Sequence, residues 1–300
     1  VNPPLPTPEV DYEATVFENA HFPRCCQERV ASALACMFRI PVLQSIPGTE
    51  TVLAFAEGRL GAMINASDGC ADGKGFKVWQ RRSTSAGRTW DAHRVIAEDT
   101  DPYHLAAKNG LTLGSSVYDR TSKTVMLFYT ACAWKCIGGA GQPASPSALV
   151  ISSATAGQTW TSPRNFTAML MASSVQLHLF GEGSGVQLRS GRLLVCGTAL
   201  ILPHAAKLPT AQLNGSSTGW RFGVFCISSD SAGAQWRVQG TLTSPPAEPT
   251  NTQVSEVAVA ETSNGSILLN MRSAGGRGAV APMPPVPYRM QSISTDFGSS

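Results

Sequence analysis

Short apolar stretches with polar punctuation recur along this chain. They are Thr51-Val-Leu-Ala-Phe-Ala, Phe76-Lys-Val-Trp-Gln-Arg, Thr124-Val-Met-Leu-Phe-Tyr, Ala148-Leu-Val-Ile-Ser, Arg192-Leu-Leu-Val-Cys, Phe222-Gly-Val-Phe-Cys-Ile and Ser266-Ile-Leu-Leu-Asn. Each has strand length and carries β-branched or aromatic residues, so each predicts a β-strand. Even the run from Val125 to Ala133 falls far short of the roughly 20 residues a membrane span requires.

Between the strands a second pattern repeats. Ser83-Thr-Ser-Ala-Gly87-Arg-Thr-Trp90 returns as Ser153-Ala-Thr-Ala-Gly157-Gln-Thr-Trp160 and as Ser229-Asp-Ser-Ala-Gly233-Ala-Gln-Trp236. A fourth copy begins at Ser294-Thr-Asp296-Phe-Gly298, so the starts lie 70, 76 and 65 residues apart. Each copy has the chemistry of a hairpin turn. Glycine accepts positive φ, small Ser or Asp side chains bond nearby backbone, and the Trp can pack back under the turn. About four strands per repeat, repeated radially, describe the blades of an all-β propeller.

Composition agrees with a folded, turn-rich domain: 43% hydrophobic, 14% charged, 28 Gly and 20 Pro in 300 residues. The net charge of +3 comes with no basic run longer than Arg81-Arg82, which excludes a nucleic-acid footprint. An anionic ligand remains open, because a few placed arginines are enough to hold one carboxylate. The eight cysteines (25, 26, 36, 70, 132, 136, 196 and 226) form no CxxC pair and have no His at zinc spacing. Sequons at Asn65, Asn165, Asn214 and Asn264 point toward a secretory route.

The repeat resembles the Asp-box of sialidases, S-x-D-x-G-x-T-W. Ser85, Thr155 and Ser231 stand at the Asp position of the first three copies, and only Asp296 matches it. In that family the box lies on the blade periphery, so the departure bears on turn stability before catalysis. The resemblance implies a six-bladed β-propeller, of which this chain would hold about four blades.

Two motifs extend the likeness to a site. Phe38-Arg39-Ile40-Pro41 resembles the family's F/Y-R-I-P, and Ala54-Phe-Ala-Glu-Gly-Arg59 resembles its A-F-A-E-x-R. The resemblance assigns Arg39 and Arg59 to the carboxylate of sialic acid, a task suited to a planar, permanently charged fork. Between Arg59 and Arg81 the family carries its general acid/base. Asp68 and Asp72 are both candidates, and the resemblance favours Asp72, because the animal lysosomal sialidases have eight residues between that Asp and the following Arg-Arg, as Asp72 and Arg81 do. Ser255-Glu256, followed by Asn264-Gly265, Asn270 and Arg272, resembles the next site segment. There a Glu activates the nucleophilic Tyr, and an Arg sixteen residues on also grips the carboxylate. Glu261 is read as a strand-end acid.

Similarity to the animal lysosomal branch covers about residues 35–275, including Cys132, Cys196, Cys226 and the sequon at Asn165. Residues 1–34 form an uncertain N-terminal segment, residues 35–300 the propeller, and Gly275 to Pro287 an inserted loop. The implied activity is an exo-α-sialidase that releases terminal sialic acid from glycoproteins, gangliosides and oligosaccharides with retention. Sialidases use a Tyr nucleophile where most glycosidases use a second carboxylate. That Tyr and a third arginine fall, in the family, past the fourth box, and none of Tyr12, Tyr103, Tyr118, Tyr129 or Tyr288 has the expected context. The 300 residues alone are therefore expected to be inactive. No metal or organic cofactor is needed. The expected ligand is a sialylated glycoconjugate, and a glycolipid substrate would bring the protein to a membrane surface. The lysosome or another secretory compartment is the expected location, with the cytoplasm as the alternative. Rival readings are a non-catalytic sialic-acid-binding propeller, another Asp-box propeller such as a sorting receptor or glucan hydrolase, and a trans-sialidase.

Overall fold

A strand that is apolar on both faces needs a neighbour on each side, and the chain supplies one by stacking its sheets. The computed structural model describes residues 13–17, 37–59, 75–100, 110–131, 146–181, 183–201, 221–243, 253–274 and 289–296. The first blade is β1 (Met37–Ser45), β2 (Val52–Arg59), β3 (Gly75–Ser83) and β4 (Arg94–Glu98). The second is β5 (Leu111–Asp119), β6 (Thr124–Ala131), β7 (Ser147–Ser153) and β8 (Arg164–Asn165). The third is built from β9 (Val175–Phe180), β10 (Gly183–Ser184), β11 (Val186–Gln187), β12 (Leu193–Ile201), β13 (Arg221–Ser229) and β14 (Arg237–Thr243). The fourth is β15 (Gln253–Glu261), β16 (Ile267–Ala274) and β17 (Met290–Ser294). In the first, second and fourth blades successive strands pair antiparallel, whereas in the third β12 pairs with β9, β11 and β13, β13 pairs with β14, and β10 pairs across to β5. All seven predicted strands are found, in four blades of a propeller arrangement.

The two-residue period of a strand sorts its apolar residues between two interfaces. In β6, Val125, Leu127, Tyr129 and Ala131 join the core shared with the first blade, while Met126 and Phe128 join the core shared with the third. In β12, Leu193 and Val195 face the second blade, and Leu194 and Cys196 face the fourth. The cores are therefore slabs between blades. Phe128 shows what this is worth: it is fully buried, with the rings of Phe166, Phe180 and Trp236 at 5.9, 5.1 and 5.2 Å. Truncating such a side chain costs about 3–5 kcal/mol.

Cys196 and Cys226 stand directly opposite each other on β12 and β13 and form a disulfide, with their Cα atoms 4.0 Å apart. Cys25, Cys26, Cys36, Cys70, Cys132 and Cys136, the inserted loop and most of the N-terminal segment lie outside the described residues. Residues 13–17 rest on the first blade. Phe17 packs on Phe38 at 4.9 Å, and the carbonyl of Val16 accepts a hydrogen bond from Arg81 Nη1 at 2.9 Å.

The repeated turns explain why a hydroxyl can stand where the sialidase motif has Asp. Ser83 Oγ accepts from the N–H groups of Ser85 and Gly87, while Ser85 Oγ accepts from the N–H of Thr89 at 2.8 Å. Thr155 Oγ1 and Ser231 Oγ do the same for Thr159 and Gln235 at 2.8 and 2.9 Å. An acceptor is all that position demands, so Asp, Ser and Thr serve alike. The two central residues of each turn have positive φ, 52° and 86° at Ala86-Gly87, 48° and 80° at Ala156-Gly157, and 52° and 82° at Ala232-Gly233. This is the type I′ geometry of hairpins.

These turns do more than close hairpins, since the second and third also bolt onto the preceding blade. Gln80 Nε2 and Arg94 donate to the carbonyl of Gly157, and Arg82 Nε donates to that of Ala156. Arg164 repeats the contact one blade on, donating to the carbonyls of Gly233 and Ala234 at 2.6 and 3.0 Å. The Trp rings follow: Trp160 lies on Phe55 and Trp236 on Phe128, each in the preceding blade. Packing under the same turn, expected from sequence, is seen in part, as Trp236 Nε1 donates to Gly233 O at 3.0 Å.

The opposite hairpin turns are stitched side by side at this same end. Arg120 donates to Gln187 Oε1 and to the carbonyls of Gln187 and Leu188, joining the β5–β6 turn to β11. Arg189 then donates to the carbonyls of Thr262 and Ser263 in the β15–β16 turn. The turn of β1–β2 belongs here too, because Ala86 N–H donates to Glu50 O at 2.8 Å. One end of the propeller is thereby a continuous layer of turns.

Candidate active site

The other end is defined by where first strands begin and second strands finish. A single row of backbone pairing crosses the first two blades there: Met37–Arg59–Gly75–Leu111–Ala131–Ser147. Four of the five site residues predicted from sequence are described, and all four belong to this rim. Arg39 is near the start of β1, Arg59 ends β2, Glu256 is near the start of β15, and Arg272 is near the end of β16. Asp72 and its rival Asp68 lie outside the described residues, between the end of β2 and the start of β3. Glu261 is at the far end of β15, where its Oε2 accepts from the N–H of Arg189 at 2.9 Å. Around the axis β10 pairs in parallel with β5. Ser115 Oγ donates to Gly181 O at 2.6 Å, and Gly181 N–H donates to Cys196 O at 2.8 Å.

Two of these strands break their ladder at the rim. The register of β1 against β2 shifts between Arg39 and Val42, and Ile40 inside that bulge has φ 54°. The register of β15 against β16 shifts between Ser255 and Ala258, and Glu256 itself has φ 45°. A β-branched residue in the left-handed region is unusual, and such strain persists where surrounding packing over-determines it. Bulges re-aim side chains and gather beside functional sites. Close packing enforces the second one. A Cβ on Gly181 would lie 2.4 Å from the carbonyl oxygen of Val257, so only glycine lets β15 come this near the third blade.

Charge at the rim is arranged in two ways. Arg59 is 1% exposed, and its guanidinium is paired with the carboxylate of Glu57, which is 0% exposed. Glu57 Oε2 also accepts from the backbone N–H of Leu113 at 3.2 Å, tying β2 to β5. Arg39 is exposed, and the Arg272 side chain is 59% exposed with its Nη1 on Glu256 Oε1. Arg39 and Arg272 are exposed to an anionic ligand, Arg272 with Glu256 already on its Nη1, whereas Arg59 is enclosed with its carboxylate partner.

Two participants carried no role in the sequence reading. Glu57 stood in the quoted Ala-Phe-Ala-Glu-Gly-Arg stretch, and its burial could not be read from it. Arg289, outside any motif, donates from Nε to Asn270 Oδ1 and from Nη2 to the carbonyls of Glu256 and Asn270. Of the tyrosines, Tyr118 and Tyr129 are described, and both belong to the core between the first two blades. Tyr129 is 2% exposed, and burial, with the Asp99 carboxylate adding to it, pushes its hydroxyl well above its ordinary range.

Comparison with known proteins agrees with this architecture. Residues 58–300 match the family of BNR repeat-like domains. A sialidase of Micromonospora viridifaciens is 29% identical over 271 residues, 88% of this chain and 35% of the relative. Human Sialidase-4 is 26% identical over 275 residues, 88% of this chain and 49% of the relative. The chain thus spans between about a third and a half of the length of these relatives. Among solved structures, a Hadza microbial sialidase superposes with a TM-score of 0.62 at 19% identity, over 89% of this chain and 46% of the other. An intramolecular trans-sialidase from Ruminococcus gnavus, in complex with oseltamivir carboxylate, gives 0.58 at 15% identity, over 88% and 69%. At that identity the structures speak for the fold.

Proposed function

We propose, because this chain belongs to the family of BNR repeat-like domains and is a sialidase family member, that the complete protein is an exo-α-sialidase. Its substrates would be terminal α-linked sialic acids of glycoproteins, gangliosides and oligosaccharides. The observation that carries the reading is the shared rim: Arg39, Arg59, Glu256 and Arg272, up to 233 residues apart (272 − 39), lie at the end of the propeller opposite the turn layer. Two of the four sit in bulged, positive-φ strand starts.

In this reading Arg39 and Arg272 grip the substrate carboxylate with their exposed guanidinium groups, and Arg59 supplies a further edge while Glu57 holds it still. Asp72 protonates the leaving glycosidic oxygen and later takes a proton from water. Glu256 withdraws the proton of a Tyr outside these 300 residues as it attacks the anomeric carbon. A neutral nucleophile suits a carbon that bears a carboxylate, since an anionic one would be repelled. Two displacements at that carbon give net retention. We assign the protein to the lysosome or another secretory compartment. Among the described residues no helix is long and apolar enough to cross a membrane, and a glycolipid substrate would bring the protein to a membrane surface.

The test is turnover of a fluorogenic sialoside by the complete protein and its variants. Asp72→Ala should lower kcat by about 10²- to 10⁴-fold, with Asp68→Ala within a few-fold of the parent. The isolated 300 residues should give no turnover. Binding of the sialoside without hydrolysis by the complete protein would replace this reading with a non-catalytic lectin.

A further inference from the structure

Glu256 is held in its left-handed conformation by something, because a non-glycine residue there costs free energy unless neighbours over-determine it. The bulge also removes its backbone from the regular ladder with β16, since the pairing runs Ser255↔Arg272 and then Ala258↔Asn270. One side chain meets the carbonyl thus displaced. Arg289, just ahead of β17, places Nη2 3.4 Å from Glu256 O and 3.3 Å from Asn270 O, while its Nε donates to Asn270 Oδ1. Asn270 lies two residues from Arg272 on β16, which puts both on one face of that strand. Arg272 takes the Glu256 carboxylate, and Arg289 takes its backbone carbonyl.

We infer that Arg289 is a positioning residue for Glu256: it clamps the β15 bulge to Asn270 and so aims the Glu256 carboxylate. The inference rests on the reading of Glu256 as the group that activates the nucleophile. A guanidinium is suited to this because its planar set of donors meets three acceptors at once, which a Lys ammonium on a flexible stem would not do in fixed geometry. Arg289 needs no contact with substrate for this role, so its loss should appear in the chemical step and spare binding.

The experiment is steady-state hydrolysis of a fluorogenic sialoside by the complete protein, comparing Arg289→Gln, Arg289→Lys, Glu256→Gln and the double variant Arg289→Gln/Glu256→Gln. Arg289 is exposed, so these proteins should fold as the parent does. Arg289→Gln is expected to lower kcat between about 10- and 100-fold with KM within about twofold, the scale of a displaced catalytic group. Arg289→Lys should recover little of this, and Arg289→Gln should add nothing once Glu256 is Gln. A normal kcat in Arg289→Gln overturns the inference. So does a raised KM with kcat kept, which would make Arg289 a substrate contact, or full rescue by Lys, which would reduce its role to charge. Glu256→Gln separates the two levels. Full turnover by that variant sinks the functional reading itself, whereas its loss beside an unaffected Arg289→Gln sinks the clamp alone.

Discussion

Removing the charge of Glu57 should cost this fold far more than a surface ion pair would. The Glu57 and Arg59 side chains are 0% and 2% exposed, and the carboxylate also accepts from Leu113 N–H across the blade boundary. Glu57→Gln keeps the shape and one acceptor oxygen but removes the negative charge that faces the buried Arg59 guanidinium. Breaking a buried pair in this way typically costs about 3–5 kcal/mol, whereas replacing both partners by neutral groups is often close to neutral. A domain has only about 5–15 kcal/mol in total, so the single variant should melt on the order of 10 °C lower. Glu57→Gln/Arg59→Met should return to within about 2 kcal/mol of the parent. The assay is thermal and urea unfolding of the complete protein, its two single variants and the double variant, followed by circular dichroism. A loss below about 1 kcal/mol in Glu57→Gln, or a double variant as unstable as the two singles summed, would refute the argument that burial sets the magnitude.

Two further outcomes are expected. Gly157→Ala must bear a positive φ and a Cβ only 2.6 Å from Leu53 Cδ2 in the preceding blade, whereas a Cβ on Gly87 meets nothing nearer than Trp90 at 3.7 Å. Gly157→Ala should therefore cost about 2–4 kcal/mol and Gly87→Ala about 1–2, and equal unfolding midpoints would deny that the turns fasten blades together. At Asp119, burial raises the carboxyl, but hydrogen bonds from the Ser122 hydroxyl, the N–H groups of Thr121 and Ser122 and the Gln187 amide outweigh it and hold it below the ordinary range. A depressed carboxylate stabilises the fold above its unfolded pKa and loses that contribution as pH falls through its folded one. The stability gap between the parent and Asp119→Asn should thus shrink as pH drops below about 4, and urea midpoints showing a constant gap from pH 7 to 3 would contradict it.

How far the site was legible follows from what kind of signal each residue carries. Arg39, Arg59, Glu256 and Arg272 are found through resemblance to short motifs, and their common rim then follows from strand order alone. Asp72 is singled out by the same resemblance, through the family's eight-residue spacing to the following Arg-Arg. Arg289 belongs to no motif, because what it does depends on a carbonyl that only a bulge displaces. Ile40 precedes Pro41, a context that favours extended backbone. Its φ of 54° is therefore the opposite of the local expectation. Ring packing of Trp160 and Trp236 across to Phe55 and Phe128 was likewise beyond a local reading, which saw only each Trp beneath its own turn.

By itself the sequence determines the strands, the turns and their period, because a two-residue alternation, a positive-φ glycine and an accepting hydroxyl are local properties of neighbouring residues. From these the propeller follows. Tertiary structure decides which of two identical-looking charges is enclosed with its partner and which stands exposed at the rim. Arg59 and Arg272 read alike in a string, yet one is 1% exposed beside Glu57 and the other has a side chain 59% exposed at the rim. That difference comes from desolvation and from partners contributed by other blades, and both exist only once the blades are stacked.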